Sequence, residues 1–343
     1  MSKRGLDALL ISDIKNIRYL CGFTGGDAYM LISAGRDWFL TDSRYATQAR
    51  AEVKGALVKV YKKSLDVIAE LASDNRLGVI GFESNNLTVD TYKKLRKALP
   101  GITLKPVSGL VSGIRATKDP FEVEQLRRSA SILARCYGKV EQNLRAGVRE
   151  ADIALAVEAA AKADGAQCMA FDTIMASGPR GALPHGKASD KRIKKGELVV
   201  VDMGVLFNGY NSDCTRTYCV GKAGAKVREV YQTVLDAQER AIDKVKPGAL
   251  VSDVDLAARK HIDEAGYGRY FGHGTGHGVG LDIHERPSIS PFSKERLAEG
   301  MVITVEPGIY IPGWGGVRIE DMLLVTAGGF EILTKTAKGL TCI

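Results

Sequence analysis

The dipeptide Asn208-Gly209, set between two apolar runs, constrains this chain more than any other feature of its sequence. Asn-Gly closes two-residue hairpins because both central residues must take positive φ, which Gly adopts without strain and Asn tolerates. A two-residue loop also sets the register of the strands it joins. Phe207 pairs with Tyr210, and Asp202 falls opposite Thr215. Asp213 then lies one diagonal away on the Asp202 face, while Val199, Val201 and Met203 take the opposite face. Two carboxylates forced onto one side of a ribbon repel each other and take up protons unless a cation joins them.

A second ribbon repeats the arrangement. The run 301–311, a Gly-rich turn at 312–316 and the run 317–322 put Thr304 and Glu306 on one face, likewise Arg318 and Glu320, with Ile303, Val305, Val317 and Ile319 on the other. The longer turn leaves room for a bulge, so Glu306 and Glu320 are read as near neighbours rather than register partners. The chain has five histidines. His273, His277 and His284 stand among alternating glycines, which let a backbone approach a ligand closely. His185 sits in a Gly/Pro-rich loop, and His261 belongs to a charged helical pattern as surface filler. The glycine run mimics a phosphate loop, but Leu281–Glu285 followed by Pro287 offers no helix at its end, as a nucleotide fingerprint requires. A lone strand acid is more often a salt-bridge partner, and a lone histidine a satisfied polar group. Four acids in two facing pairs beside a Gly-embedded histidine are different. They form an oxygen-rich set suited to two divalent ions bridged by carboxylates.

At 343 residues the chain is too long for one ordinary domain. From residue 6 to about 113, short apolar runs (6–11, 28–33, 37–41, 77–83, 103–107) alternate with helical patterns (43–53, 64–73, 88–99), an α/β layout. The Gly/Ser-bearing stretch 108–118, followed by Pro120 and a Leu-spaced charged helix, puts a boundary near residue 114, giving domains 1–114 and 115–343. Beyond it, amphipathic helices at about 120–144, 149–164, 226–244 and 251–265 accompany strands at about 171–176, 197–206, 210–220, 301–311 and 316–326. The fold class there is α+β, with an antiparallel core covered by helices.

The net charge of +8 lies almost wholly in residues 1–115, where eighteen basic residues face eleven acidic ones. Its densest piece, Tyr92–Leu99, has helical spacing and no interleaved aromatic platform, so it reads as a solvated helix face and not as a nucleic-acid stripe. No apolar run approaches the ~20 residues of a membrane span, and Met1–Gly5 leads straight into 6–12 without a signal-peptide core. Six scattered cysteines without any CxxC read as reduced thiols, consistent with a cytoplasmic protein.

Together the runs 171–220, 273–285, 305–311 and 317–322 resemble the pita-bread metallopeptidases, in the Xaa-Pro aminopeptidase and prolidase (Xaa-Pro dipeptidase) branch. Stretches 6–12 and 40–50 resemble that family's N-terminal domain. The resemblance implies a pita-bread catalytic domain preceded by a smaller α/β creatinase/prolidase-like domain. It implies metal ligands Asp202, Asp213, His277, Glu306 and Glu320, with Asp213 and Glu320 bridging two divalent ions, manganese first and cobalt, iron or zinc as alternatives. Two dications among four carboxylates come out near neutral, so a water between them ionises readily at neutral pH. Glu306 then takes the water's proton, and His185 and His284 hydrogen-bond the scissile carbonyl or the developing oxyanion. Arg318 and Thr215 orient carboxylates, and His273 and Tyr310 match positions near the pocket. The implied substrate is a peptide with proline in second position, and the implied assembly a homodimer whose N-terminal domains wall the substrate entrance. Methionine aminopeptidases share the ligand set but lack a domain like 1–114. Creatinase-like hydrolases have that domain but lack the carboxylates. A binding protein on this fold would lose at least one ligand.

Overall fold

A computed structural model describes residues 4–343, which divide into two units, one ending at Arg115 and the other spanning Ala116–Ile343. Met1, Ser2 and Lys3, with which the signal-peptide reading begins, lie outside the described residues. Among those described, no helix is long and apolar enough to cross a membrane.

The first unit runs β1 (Ala8–Ile11), α1 (Ile14–Cys21), β2 (Tyr29–Ser33), β3 (Asp37–Asp42), α2 (Ala46–Glu52), β4 (Leu57–Tyr61), α3 (Ser64–Asp74), β5 (Val79–Glu83), α4 (Val89–Ala98), β6 (Thr103–Val107) and α5 (Leu110–Arg115). Its strands form one mixed sheet in the order β4-β3-β2-β1-β5-β6. Alternation along the strands feeds two apolar layers. Leu10, Leu31 and Leu40 pack with Ile68 and Leu71 of α3 and Leu95 of α4, whereas Leu9, Ile11, Met30 and Phe39 pack with Ile17 of α1. Three elements differ from the sequence reading. Helix α1 is only eight residues long, β4 is an edge strand half-exposed on both faces, and α5 is a single short turn pair inside the stretch read as a connector. Each lacks the long, one-sided apolar period on which such readings depend.

In the second unit, α6 (Pro120–Asn143) and α7 (Glu150–Ala163) precede β7 (Cys168–Met169), β8 (Ile174–Ser177), β9 (Leu198–Met203), β10 (Val205–Phe207), β11 (Tyr210–Asn211) and β12 (Cys214–Cys219). Next come α8 (Ala225–Ile242), α9 (Val251–Glu264), β13 (Gly276–Gly278), β14 (Glu285–Ile289), β15 (Val302–Val305), β16 (Gly308–Ile311), β17 (Gly315–Arg318), β18 (Asp321–Thr326), β19 (Gly329–Ile332) and β20 (Thr341–Cys342). Helix α6 starts where Asp119 accepts from the Glu122 N–H at 2.8 Å and Glu122 accepts from the Asp119 N–H at 3.0 Å, a reciprocal capping box with Pro120 in the first turn.

The Asn208-Gly209 turn forms with φ of 45° and 77°. Its register runs unbroken from Phe207↔Tyr210 to Asp202↔Thr215 and Leu198↔Cys219. The strands read as continuous are nevertheless interrupted at Gly204 and at Ser212–Asp213, where the ribbon passes from the β11-β10-β7 sheet to the β20-β12-β9-β8 sheet. No residue is inserted at the break, so the register survives it. The second ribbon breaks likewise between β15/β18 and β16/β17, and one register again spans the gap, from Val302↔Leu324 to Ile311↔Gly315. That register sets Glu306 directly opposite Glu320, with no bulge. Each ribbon is backed by helices: α6 and α7 cover Val199, Val201, Met203 and Cys214, while α8 and α9 cover Ile303, Val305, Val317 and Ile319. The opposite, acid-bearing faces meet, as the Glu320 N–H donating to the Thr215 carbonyl at 3.1 Å records.

Candidate metal centre

The acids stand at or beside the ribbon breaks, where ladder bonds lapse and strands pair with the other half of the unit. Asp202 lies near the end of β9 and Asp213 just before β12; Glu306 and Glu320 lie within the second gap. His277 enters from β13, threaded so closely that a Cβ on Gly276 would lie 2.1 Å from the Thr304 carbonyl oxygen and one on Gly278 2.1 Å from that of Arg286. Only glycine on either side of His277 permits that approach.

Ligand atoms of Asp213, His277 and Glu320 all lie within 4.8 Å of one another. His277 Nε2 is 3.3 Å from Glu306 Oε1 and 3.6 Å from Asp213 Oδ2, while Nδ1, assigned the proton, donates to the Gly278 carbonyl at 3.1 Å. That leaves Nε2 facing the acids. Thr304 supports the same corner, accepting from the His277 N–H at 3.0 Å and donating to Glu306 Oε1 at 3.1 Å. On the other side Arg318 donates to Asp202 Oδ2 at 2.6 Å and to Thr215 Oγ1 at 3.0 Å, and Thr215 in turn donates to Glu320 Oε2 at 2.7 Å. Two buried carboxylate oxygens, Asp202 Oδ1 and Glu320 Oε1, have no hydrogen-bond partner.

The electrostatics follow from crowding. Burial, then the charges of Glu320, Asp202 and Glu306, push the Asp213 carboxyl well above its usual range, and burial, then Glu306 and Asp202, do the same to Glu320. Asp202 is raised by burial, against the pull of Arg318. Glu306 is the exception: burial pushes it up, but the hydrogen bond and charge of His277 outweigh burial and bring it to about 2. Reciprocally, burial depresses His277 and Glu306 more than reverses it, leaving the imidazole above its ordinary value.

The remaining residues singled out from sequence lie around the cluster, His261 excepted. His273 meets the Tyr310 hydroxyl through Nε2 at 2.9 Å, and Arg318 donates to that hydroxyl at 2.8 Å. The His284 ring packs edge-on to His277 with centroids 4.2 Å apart, and burial, then the His277 charge, lower its pKa. His185 is exposed on the loop after β8, which Arg318 anchors by donating to the Pro184 carbonyl at 3.2 Å. His261 stays outside the cluster, 3.9 Å from Asp236. Four supporting residues were not singled out from sequence. Asp255 accepts from the Thr275 N–H at 3.0 Å, Arg259 donates to the His273 carbonyl at 2.8 Å, and Arg216 and Asp321 pair at 2.7 Å beneath Glu320. Arg216 and Asp321 each sit one residue past a site residue, on a strand face otherwise apolar, where a charge demands a buried partner.

The chain is similar to known proteins over nearly its whole length. Residues 124–327 match Metallopeptidase family M24 and residues 1–117 match the Creatinase/Prolidase N-terminal domain. A Pyrococcus furiosus protein named Xaa-Pro dipeptidase is 41% identical over 341 residues, covering 99% of this chain and 97% of its own. The structure of Xaa-Pro dipeptidase from Bacillus anthracis superposes with a TM-score of 0.97 at 40% identity, covering 100% of this chain and 96% of that one. X-Pro aminopeptidase from Thermotoga maritima superposes with a TM-score of 0.91 at 38% identity, covering 100% and 99%. With its pita-bread unit and its creatinase-like N-terminal unit both matched, the chain belongs to metallopeptidase family M24.

Proposed function

We propose that this chain is a two-metal exopeptidase that cleaves the bond between an N-terminal residue and a following proline. The observation that carries the reading is the pair of buried oxygens, Asp202 Oδ1 and Glu320 Oε1, that no protein donor reaches, in a site where four acids outnumber the nearby cations. Such oxygens fit ligands of a divalent cation better than any hydrogen-bonding role. Asp202, Asp213, His277, Glu306 and Glu320 would hold two ions, with Asp213 and Glu320 shared, and manganese suits the carboxylate-rich set. When bound, the ions supply Lewis-acid polarisation of the scissile carbonyl and acidify a water molecule.

This chain's own groups do the rest. Glu306 accepts the water's proton and passes it to the leaving nitrogen. His284, its pKa lowered first by burial, and the exposed His185 donate hydrogen bonds to the carbonyl oxygen as charge develops on it. Arg318 restrains Asp202, and with Tyr310 and His273 forms one continuous hydrogen-bonded wall. The relatives named as acting on Xaa-Pro substrates support the proline preference. We also propose a cytoplasmic homodimer with a domain boundary near residue 114, the dimer to be read by sedimentation of the full chain.

The test is hydrolysis of Ala-Pro, Ala-Pro-Ala and Ala-Ala, side by side, by protein first stripped of metal and then reconstituted with Mn²⁺. The reading expects no turnover without metal, cleavage of proline substrates with it, and Ala-Ala untouched; Ala-Pro-Ala separates dipeptidase from aminopeptidase. Full turnover by protein that elemental analysis finds metal-free would overturn it.

A further inference from the structure

At Glu320 the second ribbon has no ladder. The pairing of β16 with β17 ends at Arg318 and that of β15 with β18 begins at Asp321, so nothing in the ribbon takes the Glu320 carbonyl. The Arg216 guanidinium does. Arg216 is 2% exposed in β12, and all five of its N–H groups are used. Nη1 donates to the carbonyls of Glu320 and Thr215, the latter at 2.9 Å; Nη2 donates to Asp321 Oδ1 and the Thr336 carbonyl, both at 2.7 Å; Nε donates to the Ala337 carbonyl at 2.9 Å. The Cys214 thiol, 3.4 Å from the Glu320 carbonyl, is a weaker second donor. Asp321 in turn accepts from Thr334 Oγ1 at 2.8 Å and Gln238 Nε2 at 2.9 Å, with Lys338 Nζ at 3.4 Å.

We propose that Arg216 is a positioning residue for the metal centre: its planar fork replaces the missing ladder at Glu320 and ties that residue's backbone to the strap 334–338. The inference rests on the reading of Glu320 as a bridging ligand. A bridging carboxylate must be held to within a fraction of an ångström, and a side chain is no better placed than the backbone that bears it. Charge alone does not meet the need. Lysine at 216 would neutralise Asp321 but offers three donors from one point, and cannot reach carbonyls on two sides of a plane.

The experiment compares the full-length parent with Arg216→Lys, Arg216→Gln, Asp321→Asn and Asp213→Asn, measuring Mn²⁺ stoichiometry and dissociation constants by equilibrium dialysis with elemental analysis. Metal-free folding is checked by circular dichroism. Arg216→Lys and Arg216→Gln should each raise the dissociation constant roughly 10- to 100-fold. At saturating Mn²⁺ both should recover kcat, with KM for Ala-Pro unchanged. Asp321→Asn, which keeps the guanidinium but removes its charge partner, should move in the same direction by less, and it carries the test if the Arg216 variants do not fold. Parent-like metal affinity in Arg216→Lys, or in a folded Asp321→Asn where the Arg216 variants do not fold, overturns the inference alone, provided Asp213→Asn loses metal. Two ions still bound by Asp213→Asn would overturn the ligand assignment and this inference together.

Discussion

At the scale of single residues, the site separates groups that would hold metal from groups that would touch substrate. Asp213, His277 and Glu320 converge within 4.8 Å, whereas His185 and His284 are exposed on loops beside them. Replacing Asp213 or Glu320 should therefore remove both ions, and His277→Ala should chiefly weaken one; elemental analysis of the three variants checks this, and equal two-metal occupancy in all of them would contradict the bridging assignment. His185→Ala and His284→Ala should keep their metal and lose about 10²-fold in kcat, the scale of an oxyanion donor or general acid. His261→Ala, 3.9 Å from Asp236 and outside the cluster, should match the parent. The four acids were legible as two facing pairs from residue type and spacing, whereas the choice of His277 among three Gly-embedded histidines rested on the family resemblance. Arg216 and Asp321 were not, because an alternation pattern reports which face a residue takes and not what waits there.

Among elements, the two hairpin ribbons determine the geometry, and glycine tests them in two different ways. Gly209 sits at φ 77° in the turn, remote from the acids in register. Gly209→Ala should cost about 1 kcal/mol of stability from the left-handed backbone alone and leave metal affinity unchanged. Gly276→Ala places a Cβ 2.1 Å from a backbone oxygen of β15, which cannot rotate away. It should shift His277 and weaken metal binding at least as much as it weakens the fold; urea unfolding and metal titration of the two variants separate these effects, and equal metal affinity in both would refute the distinction. The long helices α6, α8 and α9 were legible nearly to their ends because each shows a sustained apolar stripe. The interruptions at Gly204 and between Glu306 and Gly308 were not. A strand that changes sheets keeps its alternation and its register, so the sequence carries no mark of the break.

For the molecule as a whole, stability and metal loading are linked. In metal-free protein Asp213 and Glu320 are held well above the usual carboxylate range, by burial first and neighbouring acids second. A carboxyl raised on folding contributes fully below its unfolded value of about 4 and loses that contribution as pH rises. His277, raised by Glu306 against its own burial, acts with the same sign, its contribution disappearing as pH climbs through its folded value. Glu306, at about 2, acts oppositely, but only as pH falls below about 4. The thermal midpoint of metal-free protein should therefore decline as pH rises above about 4. Mn²⁺ should reverse the decline, by about 2.7 kcal/mol at one hundred times its dissociation constant, and release protons as it binds. Differential scanning calorimetry with and without chelator checks this, and a pH-independent midpoint in the metal-free protein would count against it. The sequence by itself determined the register of the first ribbon, through the chemistry of its two-residue turn, and the face on which each acid lies, through spacing along the chain; the longer second turn left its register to the structure. Only the tertiary structure decided which acids share a centre, why Glu306 is pushed below the usual carboxylate range while its neighbours are pushed above it, and how Arg216 reaches partners 105 and 120 residues away. Burial and electrostatic coupling are properties of neighbours in space, and these neighbours are more than a hundred residues apart along the chain.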